Sequence, residues 1–340
     1  MTNSTFRTQF GVALALAFAT ASGPLRAAEP RPGERLERRG DEIVVCGQLY
    51  HTTAPVVLWM DPGGYDAYRV ERRFAPLDKA GWDESKGEAL KSPNRYGLRK
   101  GQALTPEQLE RVRGGGWDLP LLQSVVDQFV LHFDAAGTSR RCFEVLHDQR
   151  DLSVHFMLDL DGTIYQTLDL KERAWHATAA NTRSVGIEIA NIGAYPIDRP
   201  GPFDAWYRRE GGRVQLVNPA LQGLRDSHTP LHPAREEPVV GNVQGKELRQ
   251  YDFTAPQYTA LIRLTATLCA LFPKIRCDYP RDETGKLRLA KLPDAELLQY
   301  HGILGHYHIQ TNKVDPGPAF QWDLLVNGVH ALQKKPTGNP

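Results

Sequence analysis

The chain of 340 residues carries 41 basic and 40 acidic side chains, and 41% of its residues are hydrophobic. This ordinary globular composition excludes a disordered chain, a collagen-like chain and a membrane protein with many spans. The length allows one large domain or two smaller ones. A net charge near zero provides no general attraction to nucleic acid, so we expect no nucleic-acid partner.

The first 28 residues have the pattern of a secretory signal peptide. Arg7 is the only charged residue among the first 25, and a short apolar run extends from Phe10 to Ser22. This run is shorter than the roughly 20 apolar residues of a transmembrane helix, which favours a cleaved signal peptide over an uncleaved anchor. We therefore expect residues 1–28 to be removed, no stable membrane insertion afterwards, and a periplasmic or secreted location.

Residues 29–120 are predicted to form an N-terminal extension that packs on the core. Residues 29–41 are charged and poor in apolar side chains, which indicates an exposed leader. Residues 42–70 contain short runs typical of β-strands, interrupted by a Pro-Gly-Gly turn. Residues 100–118 are rich in Gly and Arg and indicate a turn region.

The clearest secondary-structure signals begin after this extension. Residues 124–133 predict a buried strand, and Thr138 to Arg150 predict a helix with a hydroxyl cap. Residues 153–168 predict two strands joined at Asp161-Gly162, a strong hairpin signal. Residues 184–191 predict another buried strand.

Strands and helices continue to alternate toward the C-terminus. Residues 193–250 show no clear periodicity and are long for a plain loop, which suggests a functional insertion. Apolar spacing predicts one helix from Thr254 to about Phe272 and a final helix that begins near Asp315. The pattern therefore predicts a single α/β domain over residues 121–335 that contains the insertion.

Four cysteines are present: Cys46, Cys142, Cys269 and Cys277. An even number in an exported protein suggests disulfides. A local bridge between Cys269 and Cys277 would leave Cys46 to pair with Cys142, but the sequence leaves all three pairings open. The absence of CxxC spacing disfavours a cysteine zinc cluster or a redox motif.

Four side chains are candidates for chemistry. His132 ends a predicted buried strand, His306 follows the β-like run GILG, and Asp315 lies nine residues later. Two histidines and a carboxylate from separate segments form the catalytic type of zinc site, which keeps a position open for water. Glu188 lies inside an apolar strand, where a carboxylate is costly unless it is paired or used.

Four motifs in this order resemble the zinc-dependent N-acetylmuramoyl-L-alanine amidase family, which also contains phage-type amidases and animal peptidoglycan recognition proteins. The motifs are LHFDAAG, SVHFMLDLDGTIYQ, AWHATAANTRSVGIEIAN and GHYHIQTNKVDPGPAF. The resemblance covers roughly residues 124–192 and 254–333. It implies a central mixed β-sheet flanked by helices and one Zn²⁺ per chain. Residues 30–120 and 193–250 have no counterpart in the family pattern.

The resemblance also implies a role for each candidate. His132, His306 and Asp315 would bind zinc, which lowers the pKa of a bound water toward about 7. Glu188 would take the proton of this water and return it to the leaving amine. Lys313 would stabilise the oxyanion together with zinc.

Two further residues fall in a loop that often lines the substrate groove of the family. His176 and Asn181 are therefore expected to contact substrate. One branch of the family uses a tyrosine beside the hairpin histidine, but Val154 precedes His155 here. This difference favours the branch that uses the glutamate.

The resemblance implies an exported enzyme that hydrolyses the amide between N-acetylmuramic acid and L-alanine in peptidoglycan or muropeptides. Two alternatives remain: a non-catalytic peptidoglycan-binding protein, and a zinc amide hydrolase of the same fold with a substrate outside the wall. Binding-only relatives typically lack a zinc ligand, whereas this chain has the full set, which favours an enzyme. The sequence does not select between polymeric wall and soluble muropeptides.

Overall fold

The computed structural model describes Met1 and residues 31–69, 71–81, 96–100 and 104–334. The predicted signal peptide lies outside the described residues except for Met1. The chain divides into two compact units, Met1–Glu37 and Arg38–Pro340. In the first unit, the Arg31 amide donates to the Glu34 carboxylate at 2.8 Å.

The second unit combines short strands with six α-helices in its described parts. In chain order, strands β1 to β9 are Glu42–Val45, Gln48–His51, Val56–Leu58, Tyr96–Leu98, Gln128–Phe133, Phe156–Leu158, Ile164–Gln166, Glu172–Ala174 and Ser184–Ile189. Strands β10 to β15 are Tyr195–Pro196, Tyr207–Glu210, Arg213–Leu216, Val239–Val243, Lys246–Gln250 and Gly302–Gly305. Helices α1 to α6 are Pro106–Arg113, Leu119–Val125, Ser139–Phe143, Ala255–Leu271, Asp294–Gln299 and Trp322–Lys334.

A six-stranded mixed sheet in the order β15-β5-β9-β6-β7-β3 forms the centre of this unit. Strands β15, β5, β9 and β6 run parallel to their neighbours in that row, and β6 and β7 form the antiparallel hairpin predicted around Asp161-Gly162. Strand β3 closes the other edge by pairing in parallel with β7. The α/β fold with a central mixed sheet is therefore confirmed, and a strand from the predicted N-terminal extension completes the sheet.

The two faces of the central strands have different chemistry because side chains alternate along a strand. Leu131 of β5 and Ile187 of β9 belong to the apolar cluster formed with Leu264 of α4 and Leu325 of α6. Helices α4 and α6 pack together over this face. The residues that alternate with these apolar positions, among them His132 and Glu188, face the opposite side, where the site lies.

Two predicted elements begin at a different residue in the structure. Residues 119–125 form α2, because the Asp118 side chain caps the Leu121 amide at 2.9 Å, so the strand begins only at Gln128. The final helix begins at Trp322 and not near Asp315, because a Pro-Gly-Pro run with Gly317 at φ +87° cannot continue helical hydrogen bonding.

The region predicted as turns, residues 100–118, also contains α1. Thr105 caps this helix and forms a capping box with Gln108. The charged first turn and last turn of α1 explain why apolar spacing did not reveal it. No helix in the described parts of the chain is long and apolar enough to cross a membrane.

The predicted insertion, residues 193–250, is folded. Strand β14 pairs with both β10 and β13, and β11 and β12 form a separate hairpin. A local apolar cluster that includes Phe203 and Val214 supports these strands. The insertion is therefore a small β-structure and not an irregular loop.

The expected disulfides are not formed in the structure, where all four cysteines are free thiols. Cys142 is buried in one apolar cluster and Cys46 packs against another, which argues against their pairing. The thiols of Cys269 and Cys277 lie close enough for each to shift the pKa of the other.

Candidate active site

The sheet topology brings the predicted site residues together. His132 is the penultimate residue of β5 and lies directly opposite Glu188 in the parallel neighbour β9. His306 follows Gly305, the last residue of β15, on the other side of β5. Because the carboxyl ends of parallel strands meet at one edge of a sheet, three distant segments reach the same place.

Three potential ligand atoms converge at this edge. Nδ1 of His132 and Nδ1 of His306 each lie 2.9 Å from Oδ2 of Asp315, and the two nitrogens are 3.0 Å apart. The three residues are 1%, 4% and 8% exposed, respectively. They form a group that could hold a metal ion.

The electrostatics of this cluster suit a cation. Burial, and then the charge of His306, lowers the pKa of His132 to about 4, so this imidazole is neutral at pH 7. Burial alone would raise the pKa of Asp315, but the two histidines lower it well below its usual value. His306 directs Nε2 at the Gln310 Oε1 acceptor at 2.6 Å, which leaves the Nδ1 lone pair facing the cluster. The cluster therefore presents lone pairs and a carboxylate to one point.

His176 is placed behind the first histidine. Its Nδ1 lies 2.9 Å from Nε2 of His132, and its Nε2 lies 3.2 Å from Oγ of Ser184. A Cβ on Gly186 would lie 2.4 Å from the ring, so only glycine fits beneath it. His176 also lines the cavity beside the site. Its contact with the His132 ring orients that ring, a role that the sequence did not reveal.

Asn181 is used within its own loop. Its Oδ1 accepts hydrogen bonds from the amides of His176 at 3.1 Å and Ala177 at 2.6 Å. Among the described residues that line the cavity, Asn181 is absent. The structure therefore does not bring its side chain to the predicted substrate contact, because the side chain holds the loop that carries His176.

Arg99 was not predicted from the sequence as a site residue, but it holds the loop that carries His176. This arginine is fully buried, and its guanidinium donates to the carbonyls of Leu170 at 3.0 Å, Thr182 at 2.8 Å and Ser184 at 3.0 Å. It comes from the segment of the N-terminal extension that carries β4. No periodic pattern marks such a residue, because a charged side chain usually indicates an exposed position.

A cavity of about 190 Å³ opens beside the three convergent atoms. Glu188 and Lys313 line it, together with the three potential ligands and the cationic side chain of Arg150. The predicted catalytic pair and the predicted ligands therefore share one cavity.

Glu188 carries a strongly perturbed carboxyl group in this cavity. Burial, and then the negative charges of Asp315 and Asp134, raises its pKa well above the usual value, while Lys313 and Arg150 oppose the shift. Its Oε2 atom is buried and has no hydrogen-bond partner among the described residues. A carboxyl group with a raised pKa and a free oxygen at a cavity is suited to accepting and releasing a proton during a reaction.

Comparison with solved structures finds distant similarity to amidases. AmpD shares 16% identity at a TM-score of 0.31, covering 69% of this chain and 89% of that chain. The E. coli N-acetylmuramyl-L-alanine amidase AmiD, in complex with anhydro-N-acetylmuramic acid-L-Ala-D-gamma-Glu-L-Lys, shares 19% identity at 0.33, covering 60% and 57%. The endolysin amidase LysCS from Clostridium intestinale URNW shares 17% identity at 0.31, covering 62% and 86%.

Comparison at the level of sequence gives the family. No curated protein matches the chain. The family model described as N-acetylmuramoyl-L-alanine amidase matches residues 122–318, which is more than half of the 340 residues. The match includes every side chain of the cluster and both cavity residues assigned to catalysis. The chain therefore belongs to the N-acetylmuramoyl-L-alanine amidase family.

Proposed function

We propose that this protein is an exported, zinc-dependent N-acetylmuramoyl-L-alanine amidase that cleaves the amide between N-acetylmuramic acid and L-alanine. The observation that carries the proposal is the convergence of His132, His306 and Asp315 beside the half-buried Glu188, whose Oε2 atom is buried without a hydrogen-bond partner among the described residues. Family membership supplies the reaction class. The cavity of about 190 Å³ leaves room for the groups around the scissile amide next to these residues.

The donor set fits zinc. Zinc takes imidazole nitrogen and carboxylate oxygen in a tetrahedral arrangement at about 2.0–2.2 Å, which places neighbouring ligand atoms roughly 3.3 Å apart. The three atoms here lie 2.9–3.0 Å apart, so a small outward movement would accommodate the ion. When bound, zinc lowers the pKa of a coordinated water and polarises the substrate carbonyl.

Three residues of the chain would supply proton transfer, charge stabilisation and ligand orientation. Glu188 holds the proton taken from the attacking water and delivers it to the leaving nitrogen of L-alanine, which cannot depart as an anion. Lys313 provides a positive charge to the carbonyl oxygen as negative charge develops there, an effect worth about 3–4 kcal/mol when one such donor is lost. His176 keeps the His132 ring in the orientation that directs Nδ1 at the cluster.

The two alternatives make different predictions. A binding-only protein would not need a buried carboxyl group held without a partner, because that arrangement lowers stability. A hydrolase with a substrate outside the wall would use the same cluster, and the insertion near the site would select the substrate. The complete set of ligands and the family model favour the wall amidase.

Export is part of the proposal on the strength of residues 1–28, whose pattern is that of a signal peptide. A periplasmic or secreted enzyme would meet peptidoglycan directly. Fractionation of cells that express the full chain tests this point, and a full-length protein confined to the cytoplasm would contradict it.

The activity is tested with purified protein, intact sacculi and the soluble muropeptide anhydro-N-acetylmuramic acid-L-Ala-D-gamma-Glu-L-Lys. We expect one zinc per chain by elemental analysis and free stem peptide by mass spectrometry, with activity lost on chelation and restored by zinc. Asp315→Ala should lose zinc and activity together, whereas Asp282→Ala, in an exposed loop, should retain both.

The outcomes separate the three functions. Zinc binding without cleavage of either wall substrate would support the binding-only alternative. Cleavage of other amides but of neither wall substrate would support the hydrolase with a different substrate. Cleavage of the soluble fragment but not of sacculi would restrict the amidase to released muropeptides.

A further inference from the structure

The insertion, residues 193–250, contacts the metal-ligand segment itself. We call residues 306–319 the ligand segment, because it begins with His306 and contains Asp315. Gln244 lies at the turn of the β13–β14 hairpin and Gln250 ends β14. Each glutamine contacts one end of the ligand segment.

Gln244 holds the end that carries the histidine. Its Nε2 donates to the carbonyls of Tyr307 at 2.7 Å and Gln310 at 2.9 Å. Gln310 in turn accepts from Nε2 of His306 at 2.6 Å through its side-chain oxygen. The side-chain amide of Gln244 therefore holds the backbone of Gln310, whose side chain orients the His306 ring.

Gln250 holds the end that carries the aspartate. Its Nε2 donates to the carbonyl of Pro316 at 3.1 Å, and its Oε1 accepts from the amide of Ala319 at 3.0 Å. The side chain is fully buried, and a Cβ on Gly317 would lie 2.1 Å from its oxygen. The backbone that follows Asp315 therefore packs closely against the side-chain amide of Gln250.

The backbone of the hairpin supports the same interpretation. Gln244 has φ +57°, a left-handed conformation that is unfavourable for a residue other than glycine. The conformation places its side chain between the ligand segment and the Lys291 amide, which donates to Oε1 at 3.2 Å. Near the other end, Gly241 of β13 lies so close to Pro318 that an added Cβ would be 2.8 Å from the ring.

We infer that Gln244 and Gln250 are positioning residues of the metal centre, through which the insertion fixes the separation and orientation of His306 and Asp315. This inference rests on the proposed zinc-dependent function. Groups that orient metal ligands typically alter metal affinity by about 10- to 100-fold when they are removed. The insertion is accordingly part of the scaffold of the site as well as a neighbour of the cavity.

The test measures zinc affinity directly by competition with a chromogenic chelator, using Gln244→Met and Gln250→Met in the full chain. Methionine keeps the length and approximate volume of glutamine but removes both hydrogen-bonding groups. The matched control is Gln215→Met, in the β11–β12 hairpin of the same insertion. We expect zinc affinity to fall about 10- to 100-fold in the two test variants and to stay within threefold in the control.

A second readout distinguishes positioning from general loss of structure. The d–d absorption spectrum of the cobalt-substituted protein should change in both test variants and not in the control, while far-ultraviolet circular dichroism stays unchanged. If Gln250→Met does not fold, the partly exposed Gln244 site still tests the inference. Gln310→Glu should bind zinc better than Gln310→Met, because the glutamate retains an acceptor for His306.

Two results would overturn the inference in distinguishable ways. If the parent protein binds zinc and cleaves muropeptide but both test variants keep parental affinity and cobalt spectrum, the positioning role is wrong and the proposed function stands. If the parent protein binds no zinc, the proposed function fails and the positioning role fails with it.

Discussion

Replacement of Glu188 by glutamine should separate activity from stability, because the buried carboxyl group serves the first at the expense of the second. Glutamine has almost the same shape but cannot accept the proton of an attacking water. None of the three potential ligand atoms belongs to this residue. We therefore expect Glu188→Gln to retain zinc and to lose about 10²- to 10⁴-fold in turnover, the usual contribution of a general acid–base group.

The effect on stability has the opposite sign. The pKa of Glu188 is raised in the folded protein by burial and then by the charges of Asp315 and Asp134. A raised carboxyl pKa means that the fold loses stability as the pH rises from the unfolded pKa, near 4.3, toward the folded pKa, by about 1.4 kcal/mol for each pH unit between them. Removing the ionisable group should therefore increase the free energy of unfolding of the zinc-free protein at pH 7.

The measurements are muropeptide turnover with zinc bound and denaturant unfolding after chelation. Glu247→Gln provides a matched control, because this glutamate is exposed on β14. It should leave both quantities unchanged. Turnover of Glu188→Gln within threefold of the parent would remove the residue from the mechanism, and a loss of stability would show that its carboxyl group is paired in solution.

Two further predictions concern the surroundings of the site. Gly186→Ala should lower the free energy of unfolding by about 1–3 kcal/mol and weaken zinc binding, because the new Cβ would lie 2.4 Å from the His176 ring that contacts His132. The control is Gly97→Ala, whose Cβ would lie 3.8 Å from its nearest neighbour. Equal effects of the two substitutions would contradict the reasoning. Burial, and then a neighbouring guanidinium, lowers the pKa of His155 to about 3, below its unfolded value near 6.5, so its contribution to stability is complete above pH 6.5 and is lost as the pH falls. His155 should therefore account for about 2 kcal/mol of the stability that is lost between pH 7 and pH 5 in denaturant unfolding, so the total loss should be smaller in His155→Gln. Equal losses in the two proteins would contradict this assignment.

The strands that carry the site were predictable because their signals are local. The apolar runs around His132 and Glu188 identify buried strands, and the parallel arrangement follows from their alternation with helices. The resemblance then placed the ligands, and the structure brings those side chains to one point. A wrong boundary at residues 124–127 did not matter, since the register at His132 was unaffected.

The partners behind the ligands could not be predicted for a physical reason. His176 meets His132 only because the loop of residues 175–184 folds back across β9, and no periodicity encodes that path. Gln244 lies at a hairpin turn and Gln250 at the end of a short strand, positions where polar side chains are typical of a surface. Their contacts with the ligand segment depend on tertiary packing alone.

Arg99 shows how the N-terminal extension enters the same scaffold, and it provides a final prediction. Its guanidinium satisfies three carbonyls at 2.8–3.0 Å in a fully buried position, including those of Thr182 and Ser184. Arg99→Met would leave these acceptors without a donor, and we expect a loss of about 2–4 kcal/mol in the free energy of unfolding. Because Ser184 also contacts His176, zinc affinity should fall as well. Arg263→Met, on the surface of α4, should change neither quantity by a comparable amount, although this arginine also donates to a carbonyl, that of Thr53. An Arg99→Met protein with parental stability and zinc affinity would mean that the loop is held without the extension.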